Sequence, residues 1–395
     1  MIERTLAPRL LDAAKKFPVA TLLGPRQSGK TTLVRAAFPD WGYVNLEQSR
    51  ARTLAQRDPT LFFETFPRPL VIDEVQRVPE LLSEIQVLVD ETGDPGQFVL
   101  TGSHQPLLQE KVAQSPAGRT ALLELWPLSL AELSAVPEAG GRGRDETIWA
   151  GGLPRVFDRA LDPPDVCEGW FRTYVERDVR QLLNVSNLGA FETFVRLLAG
   201  RVGRVVNLQN LAGDVGVSAP TLKSWLSVLE AGFVVFTLRP YWNNYGKRLV
   251  KSPKIYFSDV GLACWLLGIS RPEQVGRDPL LGGLFENLVA LEALKWKKHT
   301  RSSAEFWYFR DNGTMEVDLL MDCGRKLHLF EVKAGMTPDF SFGRHMAEFR
   351  KRVPDAVSST VVYAGDPWPL PPDGRFVPFR DIAARLDELS ALAAR

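Results

Sequence analysis

The sequence predicts an α/β protein of more than one domain, and three observations predict it. The chain has 395 residues, against about 100–200 for an ordinary domain. Short apolar runs alternate with amphipathic stretches through the first third, the rhythm of a largely parallel sheet with helices between its strands. A glycine-rich loop, GPRQSGKT, lies between one such run and the next helical pattern. Hydrophobic residues at 45% and charged residues at 24% are the proportions of a globular chain. Lys plus Arg is 48 and Asp plus Glu is 47. That balance excludes an overall polybasic coat and an acidic disordered tail, though not a local basic patch. Cys167, Cys264 and Cys323 are far apart and form no CxxC pair. They argue against a disulfide framework or a cysteine zinc site and for a reducing, cytoplasmic compartment. No apolar run reaches the roughly 18 residues of a membrane span, so no membrane partner is expected. The opening MIERTLAPRLLDAAKK carries charges where a signal peptide needs an apolar core, and reads as an amphipathic helix.

The elements follow in order. Strand candidates are FPVATLLG (17–24), WGYVNLE (41–47), PLVIDEV (69–75), QFVLTGS (97–103) and RTALLELWPL (119–128). The glycine-rich stretch 138–158 reads as a loop and turn. Residues 165–200 are helical by period, with Trp170, Phe171, Tyr174 and Val175 on one side and the charged Glu176, Arg177, Asp178 and Arg180 along the helix. From 203 to 240 the pattern is helix, tight turn, helix, strand, with Ser218 capping the second helix and Gly232 ending it. A helix and several strands occupy 280–366, and a last helix 380–393. The expected domains are residues 1–150, a helical lid or linker at 151–200, a helix–turn–helix unit at 201–255, and a third unit at 256–395.

The loop from Gly24 to Thr31 matches G-x-x-x-x-G-K-[ST]. Its glycines let backbone N–H groups converge on a β-phosphate, Lys30 brings a positive charge to the β- and γ-phosphates, and Thr31 offers a hydroxyl to Mg²⁺. The expected ATP-binding set is Gly24, Pro25, Arg26, Gln27, Ser28, Gly29, Lys30, Thr31 and Thr32, with Asp73 and Ser103. Val71 and Ile72 form an apolar strand that ends in Asp73 and Glu74. Two acids there need a counter-ion, which Mg²⁺ beside the phosphates supplies. Asp73 is expected to hold the metal through water, and Glu74 to act as the base. Thr101 or Ser103 is placed to touch the γ-phosphate, and His104 follows them. Arg119 is the candidate for an arginine reaching a neighbour's γ-phosphate, with a plain surface arginine as the equal alternative. Gly152-Leu-Pro154 either packs at the adenine end or is an ordinary tight turn.

In LAGDVGVSAPTLKSWLSVLE, Leu208, Leu211, Ala212, Val217, Leu222, Leu226 and Leu229 form the shared core of a helix–turn–helix with Gly216 at the turn. The exposed face of its second helix, Thr221, Lys223, Ser224 and Ser227, holds a single cation, which is thin for base readout. The following segment can make the strands of a wing. There Lys247, Arg248, Lys251 and Lys254 interleave with Tyr241, Trp242 and Tyr245. Sequence-independent contact with DNA phosphates is expected from those four cations, against the alternative of a solvated basic hairpin. Lys295, Lys297, Lys298 and Arg301 read more as a solvated helix end than as a backbone clamp.

In the last unit Glu286, Asp318, Glu331 and Lys333 recur in the contexts GLFENLV, EVDLLM and HLFEVKA. Period two puts Glu331 and Lys333 on one face, and a hairpin turn at CGRK brings Asp318 beside Glu331. The set resembles the PD-(D/E)xK nuclease pattern. Three acids near one lysine need a cation, and oxygen ligands suit Mg²⁺ or Mn²⁺, a second metal in the chain. Lys333 would then orient the nucleophile or steady the charged transition state. Glu316 and Asp322 lie near enough to compete for the ligand role. The alternative is a salt-bridged hairpin.

The motifs LLGPRQSGKTTL, VIDEVQRVPELL, FVLTGSH, AGR, PLSLAEL, GGLP and YVERDVR, in that order, resemble the AAA-type ATPases that carry a DUF4143 C-terminal region. The resemblance covers nearly the whole chain. It implies an ASCE P-loop ATPase core, with an extra strand between the phosphate-loop strand and the acidic strand. It also implies a winged-helix domain after the core and a C-terminal restriction-endonuclease-like α/β domain. The leading expectation is an ATP-hydrolysing protein acting on DNA, coupled to a metal-dependent nuclease-like domain. The alternative is an ATP/ADP switch whose nuclease-like fold is an inactive binding scaffold. A homo-oligomer is expected, a ring being one form.

Overall fold

A computed structural model describes residues 2–103, 119–175, 179, 187–241, 252–311, 315–372 and 374–393. The chain forms two compact units. The first comprises residues up to Leu128 with the short segments 231–233 and 298–300, and the second holds the remainder.

The first unit is a parallel sheet of β1 (Val19–Leu23), β2 (Gly42–Asn45), β3 (Leu70–Asp73), β4 (Phe98–Gly102) and β5 (Thr120–Glu124), in the order β2-β3-β4-β1-β5. Every residue of β1, β3 and β4 is buried, which is why these strands read as unbroken apolar runs. Strand β4 pairs with both β1 and β3, in register Leu23↔Gly102 and Ile72↔Leu100. All five expected strands form, and the carboxyl ends of β1, β4 and β3 emerge side by side. That edge of a parallel α/β sheet is where ligands bind. The helices are α1 (Ala7–Lys16), α2 (Lys30–Ala37), α3 (Ser49–Arg57), α4 (Pro59–Thr65) and α5 (Leu81–Thr92). The expected amphipathic helix is α1, which buries Leu10, Ala13 and Ala14 against Ala20, Leu22, Val34 and Leu123.

The second unit holds a large apolar core with members from Leu130 to Leu389, inside which the sequence boundaries at 200 and 255 fall, and a second, smaller core between Phe309 and Phe376. Short helices at Leu130–Ser134 and Pro137–Gly140 open the unit, and α6 (Arg144–Ala150), α7 (Pro163–Tyr174) and α8 (Leu188–Ala199) follow, with a further short helix at Pro154–Asp158, so the stretch 138–158 expected as loop and turn is largely helical. Trp170, Phe171, Tyr174 and Val175 are buried together, as their period predicts. Helices α9 (Leu208–Val215) and α10 (Ala219–Ala231) follow. Asn207 caps α9, and Gly216, with φ +76°, ends it. Ser218 accepts from Thr221 N at 3.2 Å, the expected cap. The antiparallel pair β6 (Val235–Leu238) and β7 (Lys254–Phe257) comes next, then α11 (Val260–Leu266) and the long α12 (Leu281–Thr300).

The unit ends in a six-stranded mixed sheet: β8 (Glu305–Arg310), β9 (Glu316–Cys323), β10 (Lys326–Lys333), β11 (Ala356–Tyr363), β12 (Trp368–Leu370) and β13 (Gly374–Pro378), in the order β12-β13-β11-β10-β9-β8. Helix α13 (Arg344–Arg352) carries the parallel crossover from β10 to β11, and α14 (Ile382–Ala393) closes the chain. Between β9 and β10, Gly324 and Arg325 both take positive φ, +60° and +67°, the two-residue turn a tight hairpin requires.

Candidate functional site

The phosphate loop runs from the buried end of β1 into α2. Gly24 has φ +153°, and a Cβ there would lie 2.1 Å from Leu125 O, so no side chain fits. Gln27 and Gly29 also take positive φ, which wraps the loop tightly and leaves α2 with no side-chain cap at its start. The first N–H groups of such a helix favour an anion. Lys30 is buried and curls over the loop, donating to Gly24 O at 2.8 Å and Pro25 O at 2.7 Å. Ser28 Oγ is buried without a partner. Arg26, Gln27, Thr31 and Thr32 are at least partly open to solvent.

Asp73, wholly buried at the end of β3, collects four donors. Its Oδ2 accepts from Thr31 Oγ1 at 2.8 Å, Tyr43 OH at 2.7 Å and Asn45 Nδ2 at 3.3 Å, and its Oδ1 accepts from the Thr101 hydroxyl. Burial, with Asp73 beside it, pushes the Tyr43 hydroxyl well above its usual range. Glu74 takes φ +61°, in the left-handed region. That turn swings its carboxylate onto the Gln76 amide, which also donates to Ser103 Oγ at 2.9 Å. Ser103 Oγ lies 3.4 Å from Glu74 Oε2. Lys30 and Thr31 from the loop, the two acids, and the hydroxyls of Thr101 and Ser103 therefore meet along one sheet edge. Arg119 is half exposed and ion-paired with Asp90 of its own chain.

The second constellation lies in the C-terminal unit. Close backbone approach sets α12: a Cβ on Gly283 would meet Val202 O at 2.4 Å. The buried Asn287 amide then takes the place of a strand neighbour, accepting from Phe257 N at 2.6 Å and donating to Phe257 O at 2.8 Å. These contacts hold Glu286 beside β7. The hairpin register pairs Phe330 with Leu319, so Glu331 falls opposite Asp318. Glu316 and Asp318 share a face of β9, and Glu331 and Lys333 a face of β10. Lys333 Nζ lies 2.7 Å from Glu331 Oε1, while Asp318 Oδ2 accepts from Val332 N at 2.8 Å. Burial pushes Glu286 up to about 7 despite the cation beside it, and raises Glu331 in the same way with Asp318 adding to the effect.

Beside Lys333 at the rim, the buried cation of this cluster is Lys254. Its Nζ lies 2.8 Å from Glu286, 2.7 Å from Glu316 and 3.7 Å from Asp318, and the residue is 2% exposed. Burial alone would lower its pKa, but the charges of Glu286, Asp318 and Glu316 outweigh that and hold the ammonium well above its usual range. Among the described residues, no group of three or more His, Cys, Asp or Glu is arranged to hold a metal ion. The cluster as it stands does not fit the expected second Mg²⁺ or Mn²⁺, because a lysine already satisfies three of its acids.

Residues 16–134 match the AAA domain family, residues 142–273 a domain of unknown function (DUF8612), and residues 281–379 a domain of unknown function (DUF4143). The uncharacterized proteins Rv2008c of Mycobacterium tuberculosis and Mb2031c of Mycobacterium bovis are each 33% identical over 343 residues, 86% of this chain and 75% of theirs. The chain belongs to the AAA-type ATPases with a C-terminal DUF4143 domain. The uncharacterized protein MJ1544 of Methanocaldococcus jannaschii is 22% identical over 347 residues, 80% of this chain and 74% of its own. Among solved structures, the Walker-type ATPase PABY2304 of Pyrococcus abyssi superposes with a TM-score of 0.46 at 16% identity, over 67% of this chain and 96% of that one.

In this AAA–DUF4143 protein the sequence expectations at Lys254 and Lys295 are overturned. Lys254, expected on a DNA-facing surface, is buried among carboxylates, because β7 runs under α12 rather than out to solvent. Lys247, Arg248, Lys251, His104 and Glu176 to Asp178 with Arg180 lie outside the described residues. Lys295 is no solvated helix end: it is buried and paired with Glu292 at 2.8 Å. Of the two competing acids, Glu316 joins the cluster, whereas Asp322 sits at the other end of β9, its carboxyl raised by burial and by Glu305 and Asp355. Gly152 N–H is bonded at 2.7 Å to the buried Asp259 that also caps α11. No helix among the described residues is long and apolar enough to cross a membrane.

Four residues at these sites escaped the sequence reading. Arg4 is buried behind the phosphate loop and donates to Ser28 O and Trp126 O, each at 2.6 Å. Gln76 bridges Glu74 and Ser103, Tyr43 reaches Asp73, and Asn287 seats Glu286. Only Gln76 had a signal, two positions after the acidic pair.

Proposed function

We propose that this chain is an Mg²⁺-dependent ATP hydrolase whose remaining domains couple nucleotide state to contact with DNA. The observation that carries the hydrolase reading is the convergence of Lys30, Thr31, Asp73 and Glu74 on the carboxyl edge of one parallel sheet. Backbone N–H groups of residues 27–31 and the Lys30 ammonium would receive the phosphates. Thr31 and Asp73, hard oxygen donors already 2.8 Å apart, would hold Mg²⁺. Bound there, the metal would neutralise charge on the β- and γ-phosphates. Glu74, steadied by Gln76, would accept a proton from the attacking water. Ser103 and Thr101 would read the γ-phosphate. Arg119 of a neighbouring copy would reach it from outside, in a homo-oligomer. Phosphate release should require Lys30, and Lys30→Ala should abolish it. Glu74→Gln should retain nucleotide binding yet hydrolyse none. Unchanged turnover in either variant would sink the assignment.

For the C-terminal unit the scaffold reading is favoured, because Lys254 fills the place a metal would need. DNA contact is assigned to a winged helix made by α9, α10 and the β6–β7 ribbon, supported by Lys223 on the exposed face of α10 and by the cations at 247, 248 and 251. A nuclease reading draws support from the Asp318, Glu331 and Lys333 juxtaposition. Cleavage of single-stranded, duplex or branched DNA with Mg²⁺ or Mn²⁺, lost in Lys333→Ala, would establish it over the scaffold.

A further inference from the structure

We propose that the Lys254 ammonium is the resident cation of the C-terminal acidic cluster, and that removing it creates a divalent-metal site from Glu286, Asp318 and Glu331. Four carboxylates from three elements converge here: Glu286 from α12, Glu316 and Asp318 from β9, and Glu331 from β10. Two lysines face them. Lys333 sits at the rim, about a third exposed, and pairs with Glu331. Lys254 enters from β7, contacts the other three acids, and lies 5.4 Å from the Tyr308 ring centroid. Tyr256 completes the cage, its hydroxyl donating to Glu286 at 2.6 Å.

Carboxylates taken out of water this closely repel unless a cation stands among them. A divalent ion and a tethered ammonium answer the same need and exclude each other. One atom shows that the lysine answers it incompletely. Glu331 Oε2 has no hydrogen-bond partner, although the residue is 7% exposed and its carboxyl is close enough to feel both Asp318 and Glu286. A buried acceptor left over beside three acids is a ligand position that the lysine cannot reach from β7. With the ammonium gone, that oxygen, Glu286 and Asp318 supply the hard donor set Mg²⁺ or Mn²⁺ takes. The inference stands apart from the ATP hydrolase reading and survives its failure, since it concerns another unit and needs no nucleotide.

The test is Mn²⁺ binding to nucleotide-free full-length protein, read from the electron paramagnetic resonance signal of free Mn²⁺, with thermal unfolding in parallel. Wild type should show no saturable site that depends on Asp318. Lys254→Met should unfold at a lower temperature than wild type, recover on adding Mn²⁺, and gain a saturable Mn²⁺ site at least about tenfold tighter than the residual binding of wild type. Adding Asp318→Asn should abolish the new site. If Lys254→Met does not fold, Lys254→Met with Glu316→Gln removes one surplus charge and should bind Mn²⁺ instead. Folded variants that gain no site would overturn the proposal. So would wild-type binding that Asp318→Asn removes, which can be read whether or not any Lys254 variant folds.

Discussion

Thr31 Oγ1 donates a 2.8 Å hydrogen bond to Asp73 Oδ2, joining the first turn of α2 to the end of β3 across 42 residues. The bond brings together the hydroxyl and the carboxylate that a phosphate-bound Mg²⁺ needs. Asp73→Asn keeps the shape and removes the charge. We expect the Mg²⁺ concentration for half-maximal ATP hydrolysis to rise and kcat to fall roughly 10²-fold, a loss typical of a single electrostatic group at a reacting centre. Steady-state phosphate release against Mg²⁺ concentration checks this.

Gln76 touches Glu74 and Ser103 without reaching the phosphates itself, which makes it a positioning residue. Gln76→Ala should lower kcat about tenfold while leaving KM for ATP nearly unchanged, because orientation of the base is lost and binding is not. Equal losses in kcat and binding would contradict that role.

Arg4 props the loop from behind through Ser28 O and Trp126 O. Arg4→Met keeps most of the apolar stem and leaves two carbonyls short of a donor. The expected cost is about 2–4 kcal/mol of stability, with weaker nucleotide binding as the loop loosens. Chemical denaturation and nucleotide titration read the two effects separately.

Asn287 bonds both backbone groups of Phe257 from inside the core. Asn287→Leu strands an N–H and a C=O and should destabilise the protein by about 2–4 kcal/mol. Asn287→Asp should fail as well, since a carboxylate cannot donate to Phe257 O.

His328 is buried on β10 with Nδ1 2.8 Å from Ser358 Oγ. Burial, then Arg385 and Lys326, lower its pKa from 6.5 to about 4. Below 6.5 the unfolded chain takes up a proton that the folded chain refuses. Stability therefore falls as pH drops from 6.5 towards 4, by up to roughly 3 kcal/mol from this group. Unfolding free energies in that window should lose this slope in His328→Gln.

The legible parts of the site share a property. Gly24 to Thr31, Asp73 and Glu74, and Glu331 with Lys333 are each set by spacing within one short segment. The strand period and the Gly324–Arg325 turn also place Asp318 opposite Glu331 without help from the rest of the chain. The sequence misplaces Lys254 because the nearby charges along the chain are cations, while its neighbours in space come from α12 and β9.

The sequence by itself determined the parallel sheet and its strand positions, the phosphate loop, the acidic strand end, the Ser218 cap and the alternation on β10. Each depends on backbone periods, glycine conformations and turns that act over a few residues. The tertiary structure alone decided that Arg4 braces the loop, that Asn287 stands in for a strand, and that Lys254 is a core cation. Those roles depend on which distant segments pack together, because burial makes a charged or polar group find a partner wherever the fold supplies one.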